Sequence, residues 1–207
     1  MHPGVKIGLI VAGLGALVAC CVGAWVGYRM FSTGFSAKAE PGAIEILMAR
    51  QVRHLAIPLS QRNAPNPVPL SPAVLQEGLH HFADHCATCH ANDGSGKTAI
   101  GQGVYPKAPD LREAPTQSLS DGEIFFVIHN GIRFTAMPAW GKGAPEADFD
   151  SWTLVHFIRH LPKLTPEELE TMKQYNPKTK AELSEEQAFD AFLGGEEPAQ
   201  PPHAHSH

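Results

Sequence analysis

The run Cys86-Ala87-Thr88-Cys89-His90 constrains this chain more than any other stretch of it. Two thiols three residues apart on a helical turn can each add to one of the two vinyl groups of a haem, and the histidine that follows can ligate the iron. A redox-active dithiol would follow a strand, and no strand pattern precedes the motif. A zinc site would need a second ligand pair, but Cys20 and Cys21 lie inside an apolar run. The motif therefore predicts a covalently attached haem c.

Length and charge limit what the rest of the chain can be. The sequence has 207 residues, which suggests one domain with tethering segments. Its formal net charge is −5 and its 16 lysines and arginines are spread along the chain, so nothing indicates a nucleic-acid partner. Because haem c is attached to exported chains, the motif places the haem-bearing part on the periplasmic (extracytoplasmic) side of a prokaryotic membrane.

Residues 1–35 are predicted to form a membrane anchor. From Ile7 to Val26 the chain carries no charge, and this length makes about 30 Å of helix, enough to span a bilayer. Trp25 and Tyr28 lie where interfacial aromatic residues are found. Positive charges nearly balance across the span, so the haem motif decides the orientation, with the amino terminus inside. Two alternatives stay open: a cleaved signal peptide, and a lipid attached to Cys20.

Residues 36–70 form the predicted linker. Between 36 and 57, apolar side chains recur at three- and four-residue spacing, which predicts one short amphipathic helix. We expect this helix to pack on the haem-bearing domain or to lie near the membrane surface, with a docking surface for a partner subunit as the alternative. Five prolines between 58 and 72 then predict an extended strap without regular helix. The apolar positions of the helix are Ile44, Leu47, Met48, Val52 and Leu55.

Residues 71–163 are predicted to form the folded haem-bearing domain. Ser71 suits a helix N-cap and Pro72 suits the first helical turn. Apolar residues then repeat at helical spacing as far as Cys86. The attachment motif is therefore expected to close the first helix of the domain.

Two further helices are expected in this domain. The apolar run 124–128 alone would also suit a strand, but Ser120 and Glu123 form a capping box in front of it, which favours a helix. A last core helix is expected over about 148–161, since Pro162 ends it. The predicted fold class is therefore all-α.

These motifs, in this order, resemble the class I cytochromes c over residues 71–163. Gly78 and Phe82 stand eight and four residues before Cys86, as in the first helix of that family. The resemblance implies a small all-α fold around one haem, in which Gly78 lets the first helix cross closely over the last helix. The side chain that meets Gly78 would be one of Trp152, Val155 and Phe157.

The same resemblance assigns groups to the iron. Pro109 matches the proline whose carbonyl accepts a hydrogen bond from the ligand histidine, here His90, and so orients its ring. Met137, inside the run Thr135–Trp140, matches the second axial ligand. A thioether is a soft, neutral donor that raises the potential and leaves no vacant site on the iron. His129 is the main rival for this position.

The other histidines of the domain are expected to be solvated or hydrogen-bonded. His156 and His160 are four residues apart and could share a metal, but no third ligand stands at a matching spacing. The same is expected of His80, His81 and His85 in the first helix.

Residues 164–207 are predicted to hold a short helix and a flexible tail. Thr165 and Pro166 begin the helix, with acids in its first turn. After Lys180 there are six acids and no lysine or arginine, so the tail is acidic and expected to be disordered from Gly194 onward. It ends in His203, His205 and His207, for which a solvated tail is preferred over a metal site because a fourth ligand is missing.

Together these features predict an electron-transfer protein and not an enzyme. One attachment motif implies one haem, tethered to the membrane and passing single electrons between respiratory or photosynthetic redox proteins. Two alternatives stay open. The first is a haem-bearing subunit of a membrane oxidoreductase or terminal oxidase, and the second is a haem sensor or small peroxidase with a labile sixth position. Lys97, Lys107 and Lys142 are candidates for a docking rim near the haem edge, or ordinary solvated lysines.

Overall fold

Helices make up all the regular structure of the part of the chain that the structure, a computed structural model, describes: residues 2–32, 34 and 36–194. This agrees with the predicted fold class. The α-helices are α1 (Pro3–Ser32), α2 (Ala43–Ala56), α3 (Leu59–Arg62), α4 (Pro72–His81), α5 (Ala87–His90), α6 (Ala99–Gly103), α7 (Ala114–Gln117), α8 (Asp121–Asn130), α9 (Phe149–His160), α10 (Pro166–Lys173) and α11 (Lys180–Gly194). A π-helical turn (Phe82–Cys86) and two 3₁₀ turns (Pro145–Ala147, Leu161–Lys163) complete the set.

Helix α1 is long and apolar enough to cross a membrane. It has 30 residues, an 18-residue window of it has a mean hydropathy of 2.4, and no residue is buried against the rest of the protein. The predicted apolar core, 7–26, lies inside it. The helix therefore fits the predicted transmembrane element, although a signal sequence has the same signature.

A single helical path leads through α4, the π-helical turn and α5 to the attachment motif. Ser71 caps it as predicted, because its Oγ accepts a hydrogen bond from the Val74 N–H at 3.2 Å. π-Helical turns inside α-helices are frequent at functional sites, and this one ends at Cys86. The path stops after His90, where Ala91 takes a φ of +60° and turns the chain away.

Helices α4 and α9 cross at Gly78. A Cβ on that residue would lie 2.8 Å from the Phe157 Cβ and 3.0 Å from the Thr153 carbonyl oxygen, so only glycine allows this approach. Phe157 is thus the partner among the three candidates, and its ring also meets Phe82 with centroids 5.2 Å apart. Thr153 is a contact that the apolar pattern does not indicate.

Helix α8 and the later helices close the core. The predicted capping box is present: Ser120 Oγ accepts from the Glu123 N–H at 3.1 Å, and the Glu123 carboxylate accepts from the Ser120 N–H at 2.9 Å. Phe125 of α8 stacks on Trp152 of α9 with centroids 4.0 Å apart. The buried apolar core consists of Leu79, Phe82, Ala83, Ala87, Leu111, Ile124, Phe125, Ile128, Trp152, Leu154, Val155, Phe157, Ile158, Leu161 and Met172.

The proline-rich part of the linker lies against this core. The Asn66 side chain donates to the Trp152 carbonyl at 3.0 Å, and His156 Nε2 donates to the Val68 carbonyl at 2.7 Å. Val68 is partly buried against the core. The strap is therefore hydrogen-bonded to α9 at Asn66 and Val68.

The prediction that the strap contains no regular helix is wrong for one short turn, α3. Pro58 only precedes this turn as its N-cap, and the next proline is Pro65, so neither ring interrupts the turn. The turn packs on the start of α8, where Gly122 leaves no room for a Cβ beside the Gln61 carbonyl.

The carboxyl-terminal part corrects a second expectation. Helix α10 begins as predicted, with a capping box between Thr165 and Glu168. Beyond Lys180 the sequence analysis expects only an acidic tail, but α11 follows. Thr179 and Glu182 cap it reciprocally, at 2.7 and 3.3 Å, and this second capping box is the signal that could have predicted it. The terminal histidines, His203, His205 and His207, lie outside the described residues.

Candidate functional site

The predicted attachment cysteines lie one helical turn apart where the π-helical turn meets α5. Cys86 and Cys89 are both free and half-buried. Burial, with Cys89 nearby, raises the pKa of the Cys86 thiol to about 12. A redox-active dithiol needs the opposite, a lowered thiol pKa. The pair therefore fits addition to a haem better than disulfide chemistry.

His90 follows at the end of the same turn. Its Nδ1 is buried and has no hydrogen bond of good geometry. Burial lowers the pKa of His90, and an interaction with the Pro109 backbone partly offsets this. Because proline has no N–H, the interacting group is its carbonyl. The ring is thus held neutral, in the form that ligates a metal.

Arg112 fastens the loop that carries Pro109. Its Nε and Nη2 donate to the two carboxylate oxygens of Asp110 at 2.9 and 2.6 Å. Its Nη1 donates to Asp93, in the turn just after His90, at 3.1 Å. Hydrogen bonding from Arg112 lowers the pKa of Asp110. One guanidinium therefore joins the segment of the predicted ligand to the segment of its predicted orienting carbonyl.

The loop also satisfies the last carbonyls of α5. Thr98 Oγ1 donates to the Cys89 carbonyl at 3.1 Å, and the Gly96 N–H donates to the His90 carbonyl at 2.8 Å. Gly96 has a φ of +71°, a conformation that glycine adopts without strain. The end of the attachment helix is thus fixed by two hydrogen bonds from the segment 96–98.

Met137 lies in a loop that leaves α8 and returns to its end. The Trp140 N–H donates to the Ile128 carbonyl and the Gly141 N–H donates to the His129 carbonyl, each at 3.0 Å. These two bonds close the base of the loop. The loop is therefore short and held by backbone contacts.

Within this loop the backbone of Met137 is bonded on both sides. Its carbonyl accepts from the Ile132 N–H at 3.1 Å, and its N–H donates to Thr135 Oγ1 at 3.1 Å. Gly131 opens the loop with a φ of +66°, and a Cβ there would lie 2.7 Å from the Ala139 nitrogen. The half-buried thioether is thus carried on a defined backbone.

An aromatic contact brings the methionine loop next to the attachment helix. The rings of His85 and Trp140 meet edge to face with centroids 5.1 Å apart. His85 directly precedes Cys86, and Trp140 follows Met137 by three residues. The two predicted ligand segments are therefore neighbours in the fold.

His129, the rival of Met137, is engaged elsewhere. Its Nδ1 lies 2.6 Å from Asp148 Oδ2, and its ring stacks on Phe125. Asp148 also accepts from the Ser151 N–H and hydroxyl at 3.2 and 2.7 Å, capping α9. Burial alone would raise the pKa of Asp148, but the bonds from Ser151 and His129 outweigh it and lower the pKa. This pairing favours Met137 as the donor to the iron.

The other two candidate metal ligands, His156 and His160, each bind a different group of the protein. His160 meets Glu168 at 2.8 Å, while His156 is bonded to the linker carbonyl already described. Across residues 2–32, 34 and 36–194, no three His, Cys, Asp or Glu side chains come together as a metal site. Of the three candidate docking lysines, Lys107 forms an ion pair with Glu40, and the other two are exposed.

Comparison with known proteins defines the class. The family model described as cytochrome c oxidase, cbb3-type, subunit III matches residues 73–158. That range contains the attachment motif, Pro109 and the methionine loop. These residues form a c-type cytochrome domain, as the resemblance to class I cytochromes c implies, and its donor set fits haem c.

A second comparison shows similarity to one particular oxidase subunit. The cbb3-type cytochrome c oxidase subunit CcoP of Cereibacter sphaeroides is 35% identical over 79 residues, which are 38% of this chain and 25% of that protein. The chain thus matches about a quarter of the length of this relative.

Proposed function

We propose that the protein is a haem-bearing electron-transfer subunit of a membrane-bound terminal oxidase. The observation that carries this proposal is the match to a cbb3-type oxidase subunit over the residues that hold both predicted ligand segments. The likeness to CcoP supports the same conclusion. The two comparisons favour an oxidase subunit over the independent, membrane-tethered electron carrier, which is the first prediction from the sequence.

In this proposal Cys86 and Cys89 would hold one haem c through thioether bonds, and His90 and Met137 would ligate its iron. Haem c bound there supplies a one-electron redox centre. The Pro109 carbonyl orients the His90 ring, and the methionine loop keeps other ligands from the sixth position. None of these residue roles involves proton transfer. In this proposal the domain passes electrons, and other subunits carry out the oxygen chemistry.

We further propose four segments: a membrane anchor over 1–35, a linker over 36–70, the haem domain over 71–163 and a carboxyl-terminal segment over 164–207. The haem domain lies on the periplasmic side. Although it lies outside the haem domain, the linker is packed, and the side chain of its Ile57 is only 2% exposed.

Purification from native membranes tests the proposed function. A carboxyl-terminal tag on the full chain, isolated in mild detergent, should bring along the other subunits of an oxidase and cyanide-sensitive oxygen reduction. A Cys86→Ser/Cys89→Ser variant serves as the control without attached haem. Recovery of the haem protein alone, or with a complex that does not reduce oxygen, would contradict the proposal.

A further inference from the structure

Helix α2 presents an apolar stripe to the outside. All five of its predicted apolar positions are exposed, by 59 to 75% of their surface, and they recur at helical spacing on one side. The stripe consists of Ile44, Leu47, Met48, Val52 and Leu55. Such a continuous exposed apolar row normally marks a binding surface.

The opposite side of α2 is the one that packs on the haem domain. Near the start of the helix, Glu45 accepts a hydrogen bond from the Tyr105 hydroxyl. Near its end, His54 Nδ1 lies 2.8 Å from Glu123 Oε1. Between them Arg53 is half-buried, and burial lowers its pKa. Contacts at both ends fix the rotation of the helix, so the stripe points away from the domain.

The short connection between α1 and α2 indicates which surface covers the stripe. Helix α1 ends at Ser32 and α2 begins at Ala43, so ten residues join them, which span at most about 35 Å when fully extended. A stripe tethered so closely to a transmembrane helix stays within that distance of the membrane surface. A soluble partner or a second copy of the chain has no comparable constraint.

The charge of this region also suits a lipid surface. Residues 29–62 contain five arginines and lysines but only two glutamates, although the whole chain has a net charge of −5. Basic segments next to a transmembrane helix are attracted to anionic headgroups. Arg53 and Arg62 are engaged with the protein, so the exposed cations next to the stripe are Lys38 and Arg50.

We propose that α2 lies in the plane of an anionic membrane surface, with its stripe inserted among the lipids and its polar side holding the haem domain. Helices of this kind insert about 5–10 Å into the headgroup and acyl boundary. The haem domain is then fixed in orientation above the bilayer and does not swing on a free linker. This inference rests on α1 as a membrane anchor and is independent of the haem chemistry.

Fluorescence quenching in vesicles tests the proposal. The full-length holoprotein, with Cys20→Ala and Cys21→Ala, receives a bimane label at Leu47→Cys in the stripe or at Ala49→Cys. Ala49 is exposed and directly follows Met48, but it lies on another side of the helix. Vesicles contain phosphatidylglycerol and phosphatidylethanolamine, with or without brominated acyl chains. Brominated lipid should quench position 47 and spare position 49, whereas iodide in the water should do the reverse.

Four other results would overturn the proposal. Equal iodide quenching at both positions means that the stripe is in water, and no quenching of position 47 by either agent means that it is buried against protein. A label on the native Cys20, with Cys21→Ala, reports on α1. If brominated lipid fails to quench it, the anchor and the proposal fall together, while quenching at Cys20 without quenching at position 47 rejects α2 alone. A variant without added cysteine measures the background, and an unchanged haem spectrum shows that each variant is folded.

Discussion

Around the attachment motif, charge is kept away from the donor atoms. Burial lowers the pKa of His90, which favours its neutral ring, and the thioether of Met137 carries no charge. Neutral donors in a site of low polarity favour the ferrous state of a haem over the ferric state. We therefore expect the midpoint potential to depend on Met137 more than on any surface charge.

Met137→His should lower the midpoint potential by roughly 0.1–0.4 V, within the range of about 0.8 V that axial ligands cover. It should also abolish the charge-transfer band between methionine and ferric iron. Redox titration and visible spectroscopy measure both. Met48→Leu, at an exposed methionine on α2, should change neither, and a potential unaffected by Met137→His would rule Met137 out as a ligand.

Arg112→Ala should loosen the loop that carries Pro109, because Asp110 and Asp93 lose their shared partner. At a partly exposed site we expect a loss of about 1 kcal/mol of unfolding free energy. The His90 ring should become less ordered, seen as broadened electron paramagnetic resonance lines of the ferric protein. Arg112→Lys should recover only part of both effects, since lysine cannot pair in bidentate fashion. Full recovery by lysine would show that charge alone matters.

At the scale of helices, the crossing of α4 and α9 sets the geometry of the domain. The approach depends on the missing side chain at Gly78. Gly78→Ala should therefore destabilise the domain by about 1–3 kcal/mol through overpacking, despite the better helix propensity of alanine. Chemical denaturation followed by the haem absorbance measures this. Gly103→Ala in α6, where a Cβ would meet nothing within 4 Å, is the matched control, and a stabilising Gly78→Ala would refute the close crossing.

The pair of His129 and Asp148 ties α8 to α9 and should make stability depend on pH. The pKa of Asp148 is lowered in the folded protein, so its carboxylate stabilises the fold above the ordinary aspartate pKa of about 3.9. That contribution is lost as the pH falls through the lowered value. Asp148→Asn keeps the helix cap but should cost about 1–2 kcal/mol at neutral pH. Unfolding free energies measured against pH should converge for the two proteins in acid, and a constant difference would contradict the assignment.

How much of these elements the sequence predicts depends on how local their causes are. Caps such as Ser71 and the box of Ser120 and Glu123 act within one turn, so both helix starts are confirmed. Whether the stripe of α2 faces the core or the outside depends on distant partners such as Tyr105 and Glu123, which periodicity does not contain. The same holds for the choice of Phe157 opposite Gly78.

The ligand segments are predicted for a different reason. The attachment motif and the methionine loop are short runs whose chemistry is encoded in consecutive residues, and the structure places them side by side through His85 and Trp140. The clamp of Arg112 joins residues far apart in sequence, so no local pattern indicates it. The clamp can be recognised only in the folded structure.

At the scale of the whole molecule, the segments between the proposed anchor and the haem domain follow one another directly and are held to the domain by hydrogen bonds. Helix α1 leads into α2, the packed linker follows, and α9 receives that linker through Asn66 and His156. Few segments between the membrane and the haem domain are thus left free to extend. A domain held in this way suits a fixed place in an assembly better than long-range diffusion between partners.

Reoxidation of the reduced haem by oxygen tests the account most directly. The tagged protein is purified both in its membrane assembly and alone, reduced with ascorbate, and mixed rapidly with oxygenated buffer while the haem c absorbance is followed. We predict fast oxidation only in the assembly. Cyanide should block it by binding the oxygen-reducing centre of another subunit, since the proposed ligands His90 and Met137 would leave cyanide no open position on this haem. Equally fast, cyanide-sensitive oxidation of the isolated protein would contradict the account and indicate a haem that reacts with oxygen itself.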